Sequence, residues 1–258
     1  MTRRCLIIIA DAHVQEDHDE AEFFAMLSAL QSHTTDVVFL GDIFELWIGF
    51  DRYEKSHHRR FLQWCANELP QREIGFVEGN HEFFVARNHG ESFTWWSEDS
   101  FAHPELPVCF AHGDKVNRKD LPYLRFRRLA RSRPMRLLVR ILPWGRSWVD
   151  WLRRKLKKTN AAFRGALPRE EIQRAWQESP RPILALGHFH QPFSLRAGQN
   201  QVWVCPAWLE NHQVTLLRQE KQGWQFQSLP WREALGKLPR RAHSGATFAA
   251  AEEKPERV

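Results

Sequence analysis

Five short groups of polar residues carry the chemistry of this 258-residue chain. They are Asp11-Ala12-His13, Gly41-Asp42, Gly79-Asn80-His81-Glu82, His112-Gly113-Asp114 and Gly187-His188-Phe189-His190. Carboxylate, amide and imidazole together suit Mn²⁺, Fe or Zn²⁺ better than Ca²⁺, and the lack of thiolates speaks against a structural zinc site. Each group alone is weak, since a Gly-Asp pair is usually a turn and a lone histidine usually faces solvent. Their order and placement make the pattern, because each follows a short apolar run.

Those runs are Cys5–Ala10, Val37–Leu40, Gly75–Glu78, Val108–Ala111 and Ile183–Leu186, with two more at Val202–Cys205 and Val214–Leu217. Helix-length stretches, Asp19–His33 and His57–Leu69, lie between the early ones, and Phe23, Phe24, Leu27 and Leu30 recur near helical spacing. Strands alternating with helices, then strands alone, point to a mixed α/β protein. Continuous apolar strands imply sheets covered on both faces. Loops after successive strands of one sheet share an edge, so the five groups can converge. In an extended Asp-x-His or His-x-His, residues two apart face one side. The remaining histidines (His18, His33, His57, His58, His89, His103, His212 and His243) fall outside these groups and are expected at the surface.

The net charge of +6 conceals an asymmetry: residues 1–124 are net −10, residues 125–158 net +12 and residues 159–258 net +4. A single basic block reads as a local docking surface rather than a track for nucleic acid. Residues 116–165 read as a helical insertion interrupted at Pro134 and Pro143. Leu137, Leu138, Val139, Ile141, Leu142, Trp144, Trp148, Val149, Trp151, Leu152 and Leu156 interleave there with basic residues. Such helices can bury acyl chains and rest on an anionic bilayer, or pack on the main domain. The tail from 236 to 258 is poor in large hydrophobics and is expected to be disordered, leaving 1–235 as the folded domain. No apolar run approaches the ~20 residues of a spanning helix. The apolar stretch after Arg3-Arg4 is too short for a signal-peptide core, so a cytoplasmic location is expected. The four cysteines form no Cys-x-x-Cys and are expected to be buried thiols.

The five groups, in this order, resemble the calcineurin-like metallophosphoesterase superfamily over about residues 5–217. That resemblance implies an α/β/β/α sandwich of two mixed sheets flanked by helices, holding two divalent metal ions. One metal would take Asp11, His13 and His190, the other Asn80, His112 and His188, with Asp42 bridging them. His81 would contact or protonate the phosphoryl group, oriented by Glu82. Two divalent ions outweigh the carboxylates Asp11 and Asp42, so such a site attracts a phosphate anion. Within the superfamily, the block from Gly41 to Gly49 (GDIFELWIG), the Asp120, Tyr123, Phe126 and Arg127 set, and Gly187-His188-Phe189-His190-Gln191-Pro192 resemble the UDP-2,3-diacylglucosamine diphosphatases of lipid A biosynthesis. The best-known members of that family have arginine where His81 stands, and usually Asp for Glu82. The likeness implies cleavage of the pyrophosphate of an acylated sugar nucleotide, giving UMP and 2,3-diacylglucosamine 1-phosphate (lipid X). It implies Mn²⁺ before Fe or Zn²⁺, and catalysis by His81 and Asp42. Substrate contacts would come from Asn80, His81, Asp120, Tyr123, Asn160 and Arg164. Partners would be the anionic inner-membrane surface but no nucleic acid, with the protein monomeric and peripheral on the inner face. The alternative is a metallophosphoesterase for another phosphomonoester or phosphodiester, a nucleotide or a phospholipid head group. All seven ligands lie outside residues 128–158, so that segment is expected to be removable without loss of metal.

Overall fold

A computed structural model describes residues 4–16, 19–141 and 167–241. The strands are β1 (Cys5–Ile9), β2 (Asp36–Phe39), β3 (Trp47–Ile48), β4 (Ile74–Val77), β5 (Glu82–Phe83), β6 (Trp95–Ser97), β7 (Ser100–Ala102), β8 (Val108–Ala111), β9 (Ile183–Leu186), β10 (Phe193–Ala197), β11 (Asn200–Val204), β12 (Gln213–Glu220) and β13 (Gly223–Pro230). The described α-helices are α1 (Glu20–Leu30), α2 (Ser56–Glu68), α3 (Val85–Asn88), α4 (Leu121–Ala130), α5 (Arg133–Ile141), α6 (Arg169–Gln177), α7 (Trp208–Asn211) and α8 (Trp231–Gly236).

Two mixed sheets form, in the order β13-β12-β1-β2-β4-β6 and β10-β11-β9-β8-β7. Strands β1, β2, β4 and β6 run parallel, as do β8, β9 and β11. Strand periodicity divides each apolar run between two faces. Leu6, Ile8, Val38, Leu40 and Val77 pack inward with Val108, Phe110, Ile183 and Ala185 of the other sheet. Ile7, Ile9, Val37 and Phe39 turn outward onto Phe23 and Leu27 of α1, Phe61 of α2 and Leu235 of α8. On the far side, Leu184, Leu186, Val202 and Val204 pack with Ile172 of α6. Three apolar layers between helix, sheet, sheet and helix make the α/β/β/α sandwich.

The five polar groups therefore follow strands of two facing sheets rather than one. Three follow β1, β2 and β4 of the six-stranded sheet, and two follow β8 and β9 of the other. Edge strands β10 and β13 and the short β6 and β7 have no continuous apolar run to announce them. Of the tail, Leu238 is buried and Arg241 hydrogen-bonds Glu68 at 2.6 Å, so packed chain extends past Gly236. Residues 242–258 lie outside the described residues.

In the insertion, Val139 and Met135 pack against Leu46, Ile48, Phe83 and Phe84 beside the two-stranded β3–β5 sheet. Leu121, Phe126, Leu129, Leu137, Leu138 and Ile141 are exposed. One face packs and another is open. The apolar residues from Leu142 to Leu156 lie outside the described residues, as do Asn160 and Arg164.

Four histidines expected at the surface are buried instead: His33, His57, His58 and His103. His57 stacks on Phe44 and His58 on Trp47, ring against ring, which turns two polar side chains into core filling. Cys65, Cys109 and Cys205 are buried free thiols, and Cys5 is half-buried. No helix among the described residues is long and apolar enough to cross a membrane.

Candidate metal centre

Left-handed backbone, not extended chain, aims the donors. Asp11, His13, Asp42, His188 and His190 all have positive φ, between 44° and 71°. For a non-glycine residue this is costly, and such strain gathers at functional sites. Loop-to-loop hydrogen bonds hold it: Asp11 N donates to Gly41 O at 3.0 Å, His13 N to Asp42 O at 2.9 Å and Gly187 N to His112 O at 2.8 Å. Gly79 permits the closest approach, since a Cβ there would strike the Asp42 carboxylate and backbone N.

Two clusters result. Donor atoms of Asp11, His13 and His190 lie within 4.8 Å of one another, and so do those of Asp42, His112 and His188. Asn80 joins the second, its Oδ1 3.1 Å from His112 Nε2. Asp42 lies between the clusters. Its Oδ1 accepts the His81 N–H at 2.8 Å, while Oδ2 is 3.3 Å from His112 Nε2 and 3.8 Å from His13 Nε2. All seven expected ligands are thus brought together. Most are buried, with Asn80, His188 and His190 half-exposed, so the site opens on that side.

The donor set fits cations. Asp11 Oδ2 accepts the His188 N–H, but its buried Oδ1 has no hydrogen-bond donor among the described residues. His112 Nδ1 faces Leu40 O at 3.0 Å, and a carbonyl only accepts, so Nδ1 carries the hydrogen. Nε2 then faces Asn80 Oδ1 and Asp42 Oδ2, two acceptors that call for positive charge among the three, a metal ion or a proton. Without metal the proton fills that place: burial works against charge on His112, yet Asp42 raises it to about 10. Burial and the neighbouring His112 push His188 down to about 4. Burial alone would raise Asp42, but His112, His81 and His13 hold its carboxyl well below the usual range. These His/Asp clusters can bind metal ions.

His81 departs from its expected setting. Its ring is wholly buried, edge-on to His13, with Nδ1 2.5 Å from Glu45 O and Nε2 4.0 Å from Asp42 Oδ2. Burial opposes its charge, but Asp42, Glu45 and Glu82 together outweigh that and raise the pKa. The Glu45 carbonyl holds the Nδ1 side of the ring. The Glu82 carboxylate is taken up by the backbone N–H groups of Asp42, Ile43 and Gly79, each at 2.8 Å. It latches the two loops together. Burial, then the Asp42 charge, raises Glu82 to about 7. Asp120 caps α4, accepting from Tyr123 N at 3.1 Å, and the Tyr123 hydroxyl donates to Asp114 Oδ2 at 2.5 Å. Both are thus engaged in holding the insertion.

Sequence reading missed Glu45, whose Oε2 lies 3.4 Å from His13 Nδ1. It also missed Arg127 and Arg131 as partners of the metal loops. Arg127 Nε binds Asp114 Oδ2 at 2.5 Å, and Arg131 reaches Gly79 O at 2.5 Å and Glu82 O at 3.1 Å. Arg131 ties segment 128–158 to the loop that carries Asn80, so deleting the segment would remove this contact while leaving all seven candidate ligands in the chain. Glu45 sits three residues after Asp42, a spacing that could have flagged it. Nothing local marks two arginines among thirteen basic residues.

No family model matches the chain. The UDP-2,3-diacylglucosamine hydrolase of Azotobacter vinelandii is 27% identical over 203 residues, covering 72% of this chain and 81% of its own length. That of Shewanella loihica is 26% identical over 249 residues, covering 88% and 97%. The chain is similar to UDP-2,3-diacylglucosamine hydrolases. Among solved structures, an archaeal phosphodiesterase superposes with a TM-score of 0.46 at 10% identity, covering 87% of this chain and 99% of its own. A predicted phosphoesterase from Streptococcus pneumoniae TIGR4 gives 0.43 at 12%, covering 94% and 95%.

Proposed function

We propose that the protein is a binuclear metal-dependent hydrolase that cleaves the pyrophosphate of UDP-2,3-diacylglucosamine, releasing UMP and 2,3-diacylglucosamine 1-phosphate. The observation that carries this reading is Asp42 Oδ2 lying between two donor clusters. Asp11, His13 and His190 would hold one ion, Asn80, His112 and His188 the other, and Asp42 both. The likeness to UDP-2,3-diacylglucosamine hydrolases makes Mn²⁺ the first choice, ahead of Fe and Zn²⁺, and oxygen and imidazole donors can hold any of the three. Two bound divalent ions supply Lewis acidity to both attacking and leaving oxygens of an in-line displacement.

The chain's own groups do the rest. Glu82 fixes the spacing of the Asp42 and Asn80 loops through three N–H bonds. His81, with Nδ1–H held by Glu45 O, turns Nε2 toward the space shared by Asp42 and His13. From there it is the group placed to give a proton to the leaving phosphate oxygen as water adds across the P–O–P bridge. The exposed Leu129, Leu137, Leu138 and Ile141, set among arginines, supply acyl-chain contact and rest on the anionic inner face of the membrane.

A second reading, a phosphoesterase for other nucleotides or head groups, is favoured by His81 itself, which restores the general superfamily motif. The purified protein with Mn²⁺ should turn over UDP-2,3-diacylglucosamine far faster than UDP-glucosamine without acyl chains. Equal rates on the two, or turnover of soluble aryl phosphodiesters only, would move the assignment to the second reading.

A further inference from the structure

Tyr123, Arg127 and Arg131 stand four residues apart, so they form one stripe along α4 and its C-terminal cap. The stripe faces the metal loops. Tyr123 and Arg127 share Asp114, two residues after His112. Arg127 also donates to Asp99 Oδ1 at 2.7 Å and Glu98 O at 2.9 Å. Arg131 spreads its planar fork over Gly79 O and Glu82 O, the carbonyls on either side of Asn80-His81, and over Glu98 O at 2.5 Å. Its charge also lies 3.3 Å from Glu78 Oε2, in a carboxylate with no exposure at all. Both guanidiniums are about nine-tenths buried, at 9% and 11% side-chain exposure, so these bonds are shielded from water.

We propose that Arg131, supported by Arg127, is a positioning residue chiefly for one metal, the ion assigned to Asn80, His112 and His188. The inference rests on the binuclear reading above. Arg131 grips the loop of Asn80 and Arg127 grips the loop of His112, both from the insertion. Among the described residues, the hydrogen bonds and ion pairs of Asp11, His13 and His190 involve neither arginine. Docking of the insertion and occupancy of the second metal are therefore one event. An insertion that shifts on taking up substrate would alter one ion's hold far more than the other's.

The test compares Arg131→Ala and Arg131→Lys with Arg128→Ala, an exposed neighbour on the same helix. Mn²⁺ binding is followed by equilibrium dialysis and by the electron paramagnetic resonance of coupled and uncoupled Mn²⁺. Hydrolysis of bis(p-nitrophenyl) phosphate is measured across a Mn²⁺ series. Loss of a partner that orients a metal ligand weakens affinity about 10–100-fold. Arg131→Ala should weaken one Mn²⁺ by that factor, weaken the other far less, replace the coupled spectrum with an uncoupled one and recover turnover as Mn²⁺ is raised. Arg131→Lys should fall between, and Arg128→Ala should match wild type.

Two Mn²⁺ bound with wild-type affinity in Arg131→Ala, or both weakened alike, would overturn the proposal. If that variant fails to fold because Glu78 is left charged and unpaired, Glu78→Gln with Arg131→Ala removes the charge and carries the same readout. Wild-type protein that binds no pair of Mn²⁺ would instead overturn the binuclear reading, and that result is visible before any variant is made.

Discussion

The two donor clusters are built to different plans. Asp11, His13 and His190 follow β1 and β9, and their bracing comes from the sandwich: the His188 N–H on Asp11 and the Glu45 carboxylate beside His13. Asn80 and His112 follow β4 and β8, and α4 of the insertion reaches the backbone beside one and the carboxylate two residues beyond the other. His81 crosses between the plans. It adjoins Asn80 in sequence, yet its ring lies against His13 and the Glu45 carbonyl. One half of the site thus belongs to the scaffold and the other half to the element that varies most in composition from it. The difference teaches that charge and apolar content can mark a segment as an appendage while its buried polar bonds make it part of the centre.

The largest effect should come from the residue that the clusters share. Asp42→Ala should bind fewer than two Mn²⁺ and lose nearly all turnover, and near-normal metal content and rate would dissolve the pairing of the clusters. His81→Ala tests the residue that crosses between them. A positioned acid contributes about 10²–10⁴-fold, so kcat should fall by that range with metal content nearly unchanged. A rise in KM alone would make His81 a binding group. Retained rate in His81→Arg would show that positive charge suffices.

Glu45→Gln is the counterpart of the Arg131 variants. It should weaken the Asp11 cluster's ion about 10–100-fold and spare the other, as read by Mn²⁺ dialysis. If Glu45→Gln and Arg131→Ala weaken the same ion, the division into scaffold half and insertion half is wrong. The smallest effect on activity belongs to Tyr123→Phe. It removes one hydrogen bond to a charged group, about 1.5–3 kcal/mol of stability, read as a lower urea midpoint. Arg127 still holds Asp114, so both Mn²⁺ should remain. Loss of an ion in this variant would move the brace from the arginines to the tyrosine.

Much of this was legible without coordinates. Five apolar runs bounded strands β1, β2, β4, β8 and β9 to within a residue or so, because a strand buried on both faces must be apolar throughout. The donors after them had no structural reason to be there, so chemistry was the remaining explanation. An edge strand such as β13 escaped because none of its positions is fully buried, so no apolar run was required there.

Residue types and order by themselves determined the central strands and the candidate donors at their ends, since those depend on local pattern and ligand chemistry, while the two-sheet sandwich and the pairing of two ions came with the family resemblance. Tertiary structure decided how the donors are aimed and what holds them. Glu82 bonds backbone groups 39 and 40 positions away, and Arg131 reaches back 52 positions to Gly79 O. A buried carboxylate or guanidinium takes whatever polar group the packed chain brings within 3 Å, and that choice is fixed only when distant loops meet in a site with little water to compete.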